Sequence, residues 1–314
     1  MEFGVGLPGD LHSDVIAIRD FVQAVDGAGF TYLNLPDHVV GTPRGGREAV
    51  QNAAFVRPGA AEGRYQGIYT DETVVHEPLI LASHVLALTK QIRCVTAILI
   101  LAQRQAVLVA KQSAELAVLS GERFTLGVGV GYQPWEFEAL DVPYESRGAR
   151  YEEQIDVMRR LWAQPTVTFE GRFHRLHEVG INPRPASGRI PVWMGGGGAA
   201  DPVGVPAPAR RILARIGRMG DGWNIAANSF ADYAERRDII RDAARKAGRD
   251  PMAIAINHSL TISDRPLGEQ LAYARRWAEA GVTHAALSVS PLAARSPDER
   301  IGKLVEFRDA FQSA

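Results

Sequence analysis

Short apolar runs alternate with stretches of helical periodicity along nearly the whole chain. Phe3 to Leu7 reads as a strand. Val15, Ile18, Phe21, Val22 and Val25 then recur at helical spacing, and Gly27 and Gly29 stop that helix ahead of a second strand, Tyr32 to Leu35. The next helix follows Glu77-Pro78, with proline in its first turn, and leads to a third strand, Ile92 to Leu101, interrupted at Thr96. A helix from Val107 to Leu119 ends at Ser120-Gly121. After it come a strand, Phe124 to Val130, a helix, Tyr151 to Trp162, and a strand, Pro191 to Met194. The remainder predicts helices over Arg210 to Arg218, Tyr233 to Ala247, Leu271 to Ala280 and Ile301 to Phe311. Strands are predicted over Gly222 to Ala226, Ala253 to Leu260 and Ala285 to Val289.

That count gives about eight strands, each followed by a helix, a rhythm that favours parallel pairing with right-handed crossovers. The expected fold is α/β, a (β/α)8 TIM barrel forming a single domain over residues 1–314, with two smaller domains as the alternative. Two stretches break the rhythm. One runs from Val39 to His76, after strand two. The other covers about residues 164–190, between helix four and strand five, where Thr166 to Phe169 and Phe173 to Leu176 flank Glu170-Gly171-Arg172 as a hairpin. The first would emerge at the carboxyl-terminal face of the barrel, where it reads equally as a lid or as a solvated surface loop.

Composition narrows the partners. With a net charge of -1 and both signs well mixed, the chain shows no field directed at nucleic acid or an anionic membrane, which leaves a small molecule. Cys94 is the only cysteine and lies in an apolar run, the setting of a buried, inert thiol in a reducing cytoplasm. Met1-Glu2-Phe3-Gly4 lacks the basic start and apolar core of a signal peptide, and no apolar run approaches the roughly 20 residues that span a bilayer. A soluble cytoplasmic protein is the expectation.

Candidate chemistry collects just after the strands. Strand two runs into Leu35-Pro36-Asp37-His38, strand three carries Thr96-Ala97-Ile98, strand four runs into Gly129-Val130-Gly131-Tyr132, and strand five ends in Gly195-Gly196-Gly197-Gly198. In a barrel these ends share one mouth. Four consecutive glycines lose much backbone freedom on folding, so they imply unusual dihedrals or a ligand lying on bare backbone, such as a phosphate or a ring. Taken singly, Asp37-His38 is also a turn-forming pair, and Gly127 to Gly131 also reads as small residues lining the barrel.

Several of these segments together resemble the bacterial luciferase-like oxidoreductases, within them the branch that uses the 8-hydroxy-5-deazaflavin coenzyme F-420. The segments are Pro36-Asp37-His38, Glu77-Pro78-Leu79, Ile92 to Leu99, the long run from Ala110 through Leu119-Ser120-Gly121-Glu122-Arg123-Phe124 to Gly129, Pro191 to Gly196, and Asp221-Gly222-Trp223. The resemblance covers about Phe3 to Gly248. It implies a flavin-type ring across the barrel mouth, with Asp37 contacting the ring or its side chain and the Thr96-Ala97-Ile98 backbone behind it. A non-prolyl cis peptide between Ala97 and Ile98 goes with the deazaflavin branch. Gly129, Gly131 and Tyr132 would border the ring, and the quartet Gly195 to Gly198 would take its phosphate and edge. An inserted segment, Asp201 to Pro208, separates those glycines from the next helix, which leaves Arg210 and Arg211 as candidate cations. His38 is the candidate acid or hydrogen-bond donor, with a structural histidine holding Asp37 as the other reading. Some sugar-phosphate-oxidising members carry glutamate where this chain has Tyr132, and the change points to an aromatic wall, with Trp135 and Glu136 on the substrate pocket; Tyr132 and Trp135 simply packing the rim is the other reading. A homodimer is an assembly the resemblance makes expected.

Rival readings differ in testable ways. FMN with dioxygen would use the same fold. A deazaflavin lacks a ring nitrogen that reduced flavin uses with oxygen, which confines it to hydride chemistry, so the cofactor decides between the two. Arg44, Arg47, Arg57 and Arg64 in the first insertion are candidates for an anionic cofactor tail, diluted by Glu48, Glu62, Asp71 and Glu72. A non-catalytic flavin- or deazaflavin-binding protein is the third reading. A dinucleotide fingerprint at Gly195-x-Gly197-x-x-Ala200 is broken by Pro202, Pro206 and Pro208, no nucleophile elbow is present, and His174 with His177 lack further ligands, so no metal is expected.

Overall fold

Helix ends along the chain are set by local chemistry. The computed structural model describes residues 1–43, 70–197, 207–225, 230–292 and 295–313. After strand β1 (Glu2–Gly6), helix α1 (Val15–Gly27) opens at Asp14, whose carboxylate accepts from the amides of Ile16 and Ala17 at 2.9 and 3.1 Å. Its apolar stripe, Ile18, Phe21, Val22 and Val25, is buried against the outside of the sheet. Strand β2 (Tyr32–Leu35) leads on to helix α2 (Pro78–Leu88), which starts with proline behind the capping carboxylate of Glu77. Beyond strands β3 (Arg93–Thr96) and β4 (Leu99–Ile100), helix α3 (Ala106–Ser120) stops at Gly121, which takes the left-handed conformation at φ 66°.

The chain continues through β5 (Phe124–Gly129), α4 (Pro134–Ala139), α5 (Arg147–Ala163), β6 (Val167–Glu170), β7 (Arg175–Val179) and β8 (Val192–Gly196). It ends with α6 (Ala207–Met219), β9 (Gly222–Ile225), α7 (Phe230–Lys246), β10 (Ala255–Thr261), α8 (Leu267–Glu279), β11 (His284–Ser288) and α9 (Pro297–Gln312). Among the described residues, β1, β2, β3, β5, β8, β9, β10 and β11 form a parallel sheet that closes on itself. The β3–β5 pairing and the β1–β11 pairing complete the ring, with β4 continuing the third strand alongside β5. This is the expected (β/α)8 barrel.

Locally the structure departs from the pattern. The third strand breaks after Thr96 and resumes at Leu99. Helix α4 is only six residues long, too short to display a period, and α5 begins four residues before Tyr151. The expected hairpin is present as antiparallel β6 and β7, but its second strand starts at Arg175, because residues 172–174 belong to the turn. Their three amides all donate to the Glu153 carboxylate of α5, at 2.6–2.9 Å. His174 is part of that turn, its ring nitrogen 2.8 Å from Glu153, while His177 pairs with Glu170 at 3.1 Å.

Burial sets the chemistry of two side chains outside the mouth. Cys94 on β3 is fully buried, which pushes its thiol up to about 12 and keeps it from reacting as thiolate. On β10, His258 lies 4.0 Å from the ring of Trp277, and burial pushes its imidazole down to about 4. Folded chains then keep this ring neutral in a range where unfolded chains, with an ordinary value of 6.5, protonate it. The unfolded state is the stronger proton binder there, so stability falls as pH drops from about 6.5 toward about 4. His258→Phe is expected to flatten that decline. Thermal melts across the window test it, and an unchanged acid slope would place the sensitivity elsewhere.

Candidate functional site

The interior of the barrel is unequal from bottom to top. Side chains alternate along each strand, so Phe3 and Val5 of β1 pack outward with the helices while Gly4 and Gly6 face in. At the amino-terminal end the interior is filled by Tyr32, Trp193 and His284, whose ring centroids lie 4.9–6.0 Å apart, with Val95 and Ala286 beside them. Gly4 sits under the Tyr32 ring and Gly222 under the Trp193 ring, where a Cβ would come within 2.5 Å and 2.4 Å of ring atoms. Toward the carboxyl-terminal end the inward residues become Gly6, Asn34, Gly127, Asn224 and Asn257. Large side chains close one end, and small ones leave room at the other.

That upper layer is polar and oriented. The Tyr32 hydroxyl donates to Asn257 Oδ1 at 2.7 Å, and Asn257 Nδ2 donates to Asn224 Oδ1 at 2.8 Å. This order leaves Asn224 Nδ2 as a buried donor without a partner, and Asn34 Oδ1 is a buried acceptor without one. A Cβ at Gly6 would find no atom nearer than 3.9 Å, so backbone is open to the mouth there. A planar ring carrying both carbonyl and N–H groups fits this lining of bare backbone, one donor and one acceptor.

Beside this space the third strand is broken. The Ala97–Ile98 peptide is cis, as the deazaflavin resemblance implies. Thr96 is fully buried and its hydroxyl donates to the Gly127 carbonyl at 2.7 Å. The Ile98 side chain lies over Gly129 of β5 and Gly195 of β8, at both of which a Cβ would meet it within 2.8 Å. Asp37 holds the far side of the break: its Oδ2 accepts from the Ile100 amide at 2.7 Å and its Oδ1 from Arg104 Nη2 at 2.8 Å. Arg104 also reaches Glu77 at 2.7 Å, so one guanidinium ties the ends of β2 and α2 to the third strand. Burial raises the Asp37 carboxyl above its ordinary value, against the opposing pull of Arg104 and the Ile100 amide.

At the rim His38 does not hold Asp37. Its Nδ1 lies 3.2 Å from Oε2 of Glu136, a side chain with no exposure, whose Oε1 accepts from the Val39 amide at 2.9 Å. The Tyr132 ring stands edge-on to His38 at 6.1 Å, after Gly131, which has φ 74°. Trp135 is 7 % exposed, with its indole nitrogen buried and without a partner. Sequence placed Glu136 and Trp135 in the substrate pocket; in the structure the Glu136 carboxylate faces His38 and the Val39 amide.

The glycine quartet also divides. Gly195 makes room for Ile98. Gly196 (φ 140°) and Gly197 (φ 81°) adopt conformations that side chains rarely take and lie close under α6, where a Cβ would meet Ile212 and Leu213 at 2.8 and 2.6 Å. Gly198 lies outside the described residues, as do Arg44, Arg47, Arg57, Arg64 and the segment 201–206. Arg210 forms a surface ion pair with Glu235. The cation near the turn is instead Arg236 of α7, fully buried, paired with Asp232 at 2.8 Å, and with Nη1 3.7 Å from the position of a Gly197 Cβ.

A family model described as luciferase-like monooxygenase matches residues 1–301. The chain belongs to that family. A protein of Mycobacterium tuberculosis is 31% identical over 199 residues, 63% of this chain and 64% of its own length. The chain thus spans somewhat under two thirds of the first curated relatives it matches. A coenzyme F-420-dependent glucose-6-phosphate dehydrogenase of Intrasporangium calvum is 29% identical over 216 residues, 62% of this chain and 59% of the relative. The fold is shared with the crystal structure of a monooxygenase from Streptomyces bottropensis (TM-score 0.75, 18% identity, 98% of each chain). It is shared equally with a coenzyme F-420-dependent secondary alcohol dehydrogenase in complex with an F-420–acetone adduct (TM-score 0.74, 16% identity, 99% of this chain and 98% of that one). No helix among the described residues is long and apolar enough to cross a membrane.

Two site residues, Arg104 and Arg236, and one pairing escaped the sequence. Arg104 is joined to Asp37 and Glu77 only by the fold, 67 and 27 residues away. The Glu136–His38 pair spans 98 residues, and no spacing rule connects them. Arg236 reads in sequence as one of two consecutive arginines on a charged helix; the only signal for its burial is that it follows Tyr233 by three residues on the apolar stripe.

Proposed function

We propose that this luciferase-like chain is an oxidoreductase that uses coenzyme F-420 to transfer hydride to or from a small organic substrate. The observation that carries the reading is the upper layer of the barrel. Its bare backbone at Gly6, unpartnered Asn34 Oδ1 and unpartnered Asn224 Nδ2 suit a flavin-type ring, and His38 stands at the rim beside it. The relatives that carry coenzyme F-420 in their names favour the deazaflavin over FMN. In this reading the Thr96-Ala97-Ile98 backbone and Gly129, Gly131 and Tyr132 border the ring, and Asp37 supports it by fixing the broken strand. Gly195 to Gly197 would take the cofactor's anionic arm, and Trp135 would line the substrate side. When bound, a deazaflavin supplies a two-electron hydride donor or acceptor. His38 then handles the proton that accompanies the hydride.

FMN-dependent oxygenation is the second reading, favoured by the family description and the monooxygenase relative. Titration of the purified chain with coenzyme F-420 and with FMN, followed by absorbance and fluorescence, separates the two. Saturable F-420 binding with weak or no FMN binding is expected. Tight FMN binding without F-420 binding would overturn the deazaflavin assignment.

A further inference from the structure

We propose that Glu136 is the positioning residue of His38: it decides which imidazole nitrogen carries the resting proton. The inference rests on His38 being the proton carrier of the proposed function and adds how that carrier is set. The Glu136 carboxylate has no exposure, and its two oxygens face two different groups, the Val39 amide at 2.9 Å and His38 Nδ1 at 3.2 Å. A backbone N–H can only donate, so Oε1 is committed to Val39. A carboxylate offers acceptors alone, so Oε2 needs a hydrogen on Nδ1. In the neutral ring that hydrogen is the only one, and Nε2 is left as the nitrogen that takes up a proton. A carboxylate that orients a histidine by its other ring nitrogen recurs in metal sites and in hydrolase triads, where its role is tautomer and orientation rather than proton relay.

The proton balance is simple. A proton passing from substrate to Nε2 converts the ring to imidazolium, whose charge faces the buried carboxylate. On return of that proton the ring reverts to its Nδ1–H form. Because the Glu136 carboxylate grips Val39 as well as His38, it holds ring and backbone in one place while the charge comes and goes. Helix α4 matters for this reason: it is one short turn-and-a-half that carries a single carboxylate inward from the end of β5 to the end of β2.

Glu136→Gln tests the assignment with almost no change in shape. Its amide must turn oxygen toward the Val39 N–H, since an NH2 there would set donor against donor. The NH2 group then faces Nδ1, which has to become an acceptor, and the ring proton moves to Nε2. Nitrogen-15 spectra of histidine-labelled protein, recorded without any cofactor on the alkaline side of the ring's own titration, read the tautomer directly. Wild type is expected as Nδ1–H and Glu136→Gln as Nε2–H. A wild-type ring protonated on Nε2, or the same tautomer in both proteins, overturns the proposal, and the wild-type spectrum alone is decisive if the variant fails to fold. Because no cofactor is involved, the result stands apart from the choice between F-420 and FMN.

Discussion

His38→Ala is expected to lower turnover by about 10²–10⁴-fold while leaving cofactor affinity nearly unchanged, the range over which a positioned acid or base contributes. The split between the two measurements is what matters. A histidine that only shaped the mouth would weaken cofactor binding as much as turnover. Truncation has a second cost, because Glu136 would keep the Val39 amide as partner and lose the ring, which leaves part of a fully buried carboxylate without a donor. Such a loss costs about 1–3 kcal/mol. His38→Gln separates the effects: its amide can still donate to Glu136, so stability should return while turnover does not. Denaturant unfolding beside steady-state kinetics checks both, and recovery of turnover with glutamine would remove His38 from proton transfer.

Gly127→Ala is expected to destabilise the fold by about 3 kcal/mol or more, the upper end for forced overpacking. A Cβ there would lie 1.7 Å from the Thr96 carbonyl oxygen and 3.2 Å from Asn224 Nδ2. The first of these is backbone, so no rotamer change relieves it. It also sits where β3 pairs with β5 to close the barrel and where the Thr96 hydroxyl donates to Gly127. Gly302→Ala in α9 is the control, since nothing lies within 4 Å of its added methyl and alanine is the better helix former by about 1 kcal/mol. Urea midpoints of the two variants should move in opposite directions. Equal midpoints would mean that the strand pair yields at Thr96 more easily than its geometry suggests.

Sequence periodicity conveyed the barrel well because burial on two sides leaves a signature in every strand and helix. The stripe of α1, the glycine stop of α3 and the sequence order of the eight strands are all local properties. What sequence could not convey is pairing across the mouth. Nothing along the chain says that Glu136 turns to His38 or that Arg104 joins Asp37 to Glu77, because the partners are brought together from separate strands and helices. The glycine run shows a subtler gap. Its composition marked the place correctly, yet at Gly195 the missing side chain is explained by Ile98, and at Gly196 and Gly197 by positive φ and the close pass of α6. A rare composition reveals that backbone must be bare, not which neighbour requires it.

The stoppered lower half of the barrel has a consequence for traffic. With Tyr32, Trp193 and His284 filling the amino-terminal end, the described residues leave the polar layer around Asn34 and Asn224 to be reached from the carboxyl-terminal end. Two ligands that share a single doorway must queue, with the deeper one first in and last out. If the proposed cofactor and substrate both enter there, exchange of the deeper one is gated by departure of the shallower one, whatever their affinities.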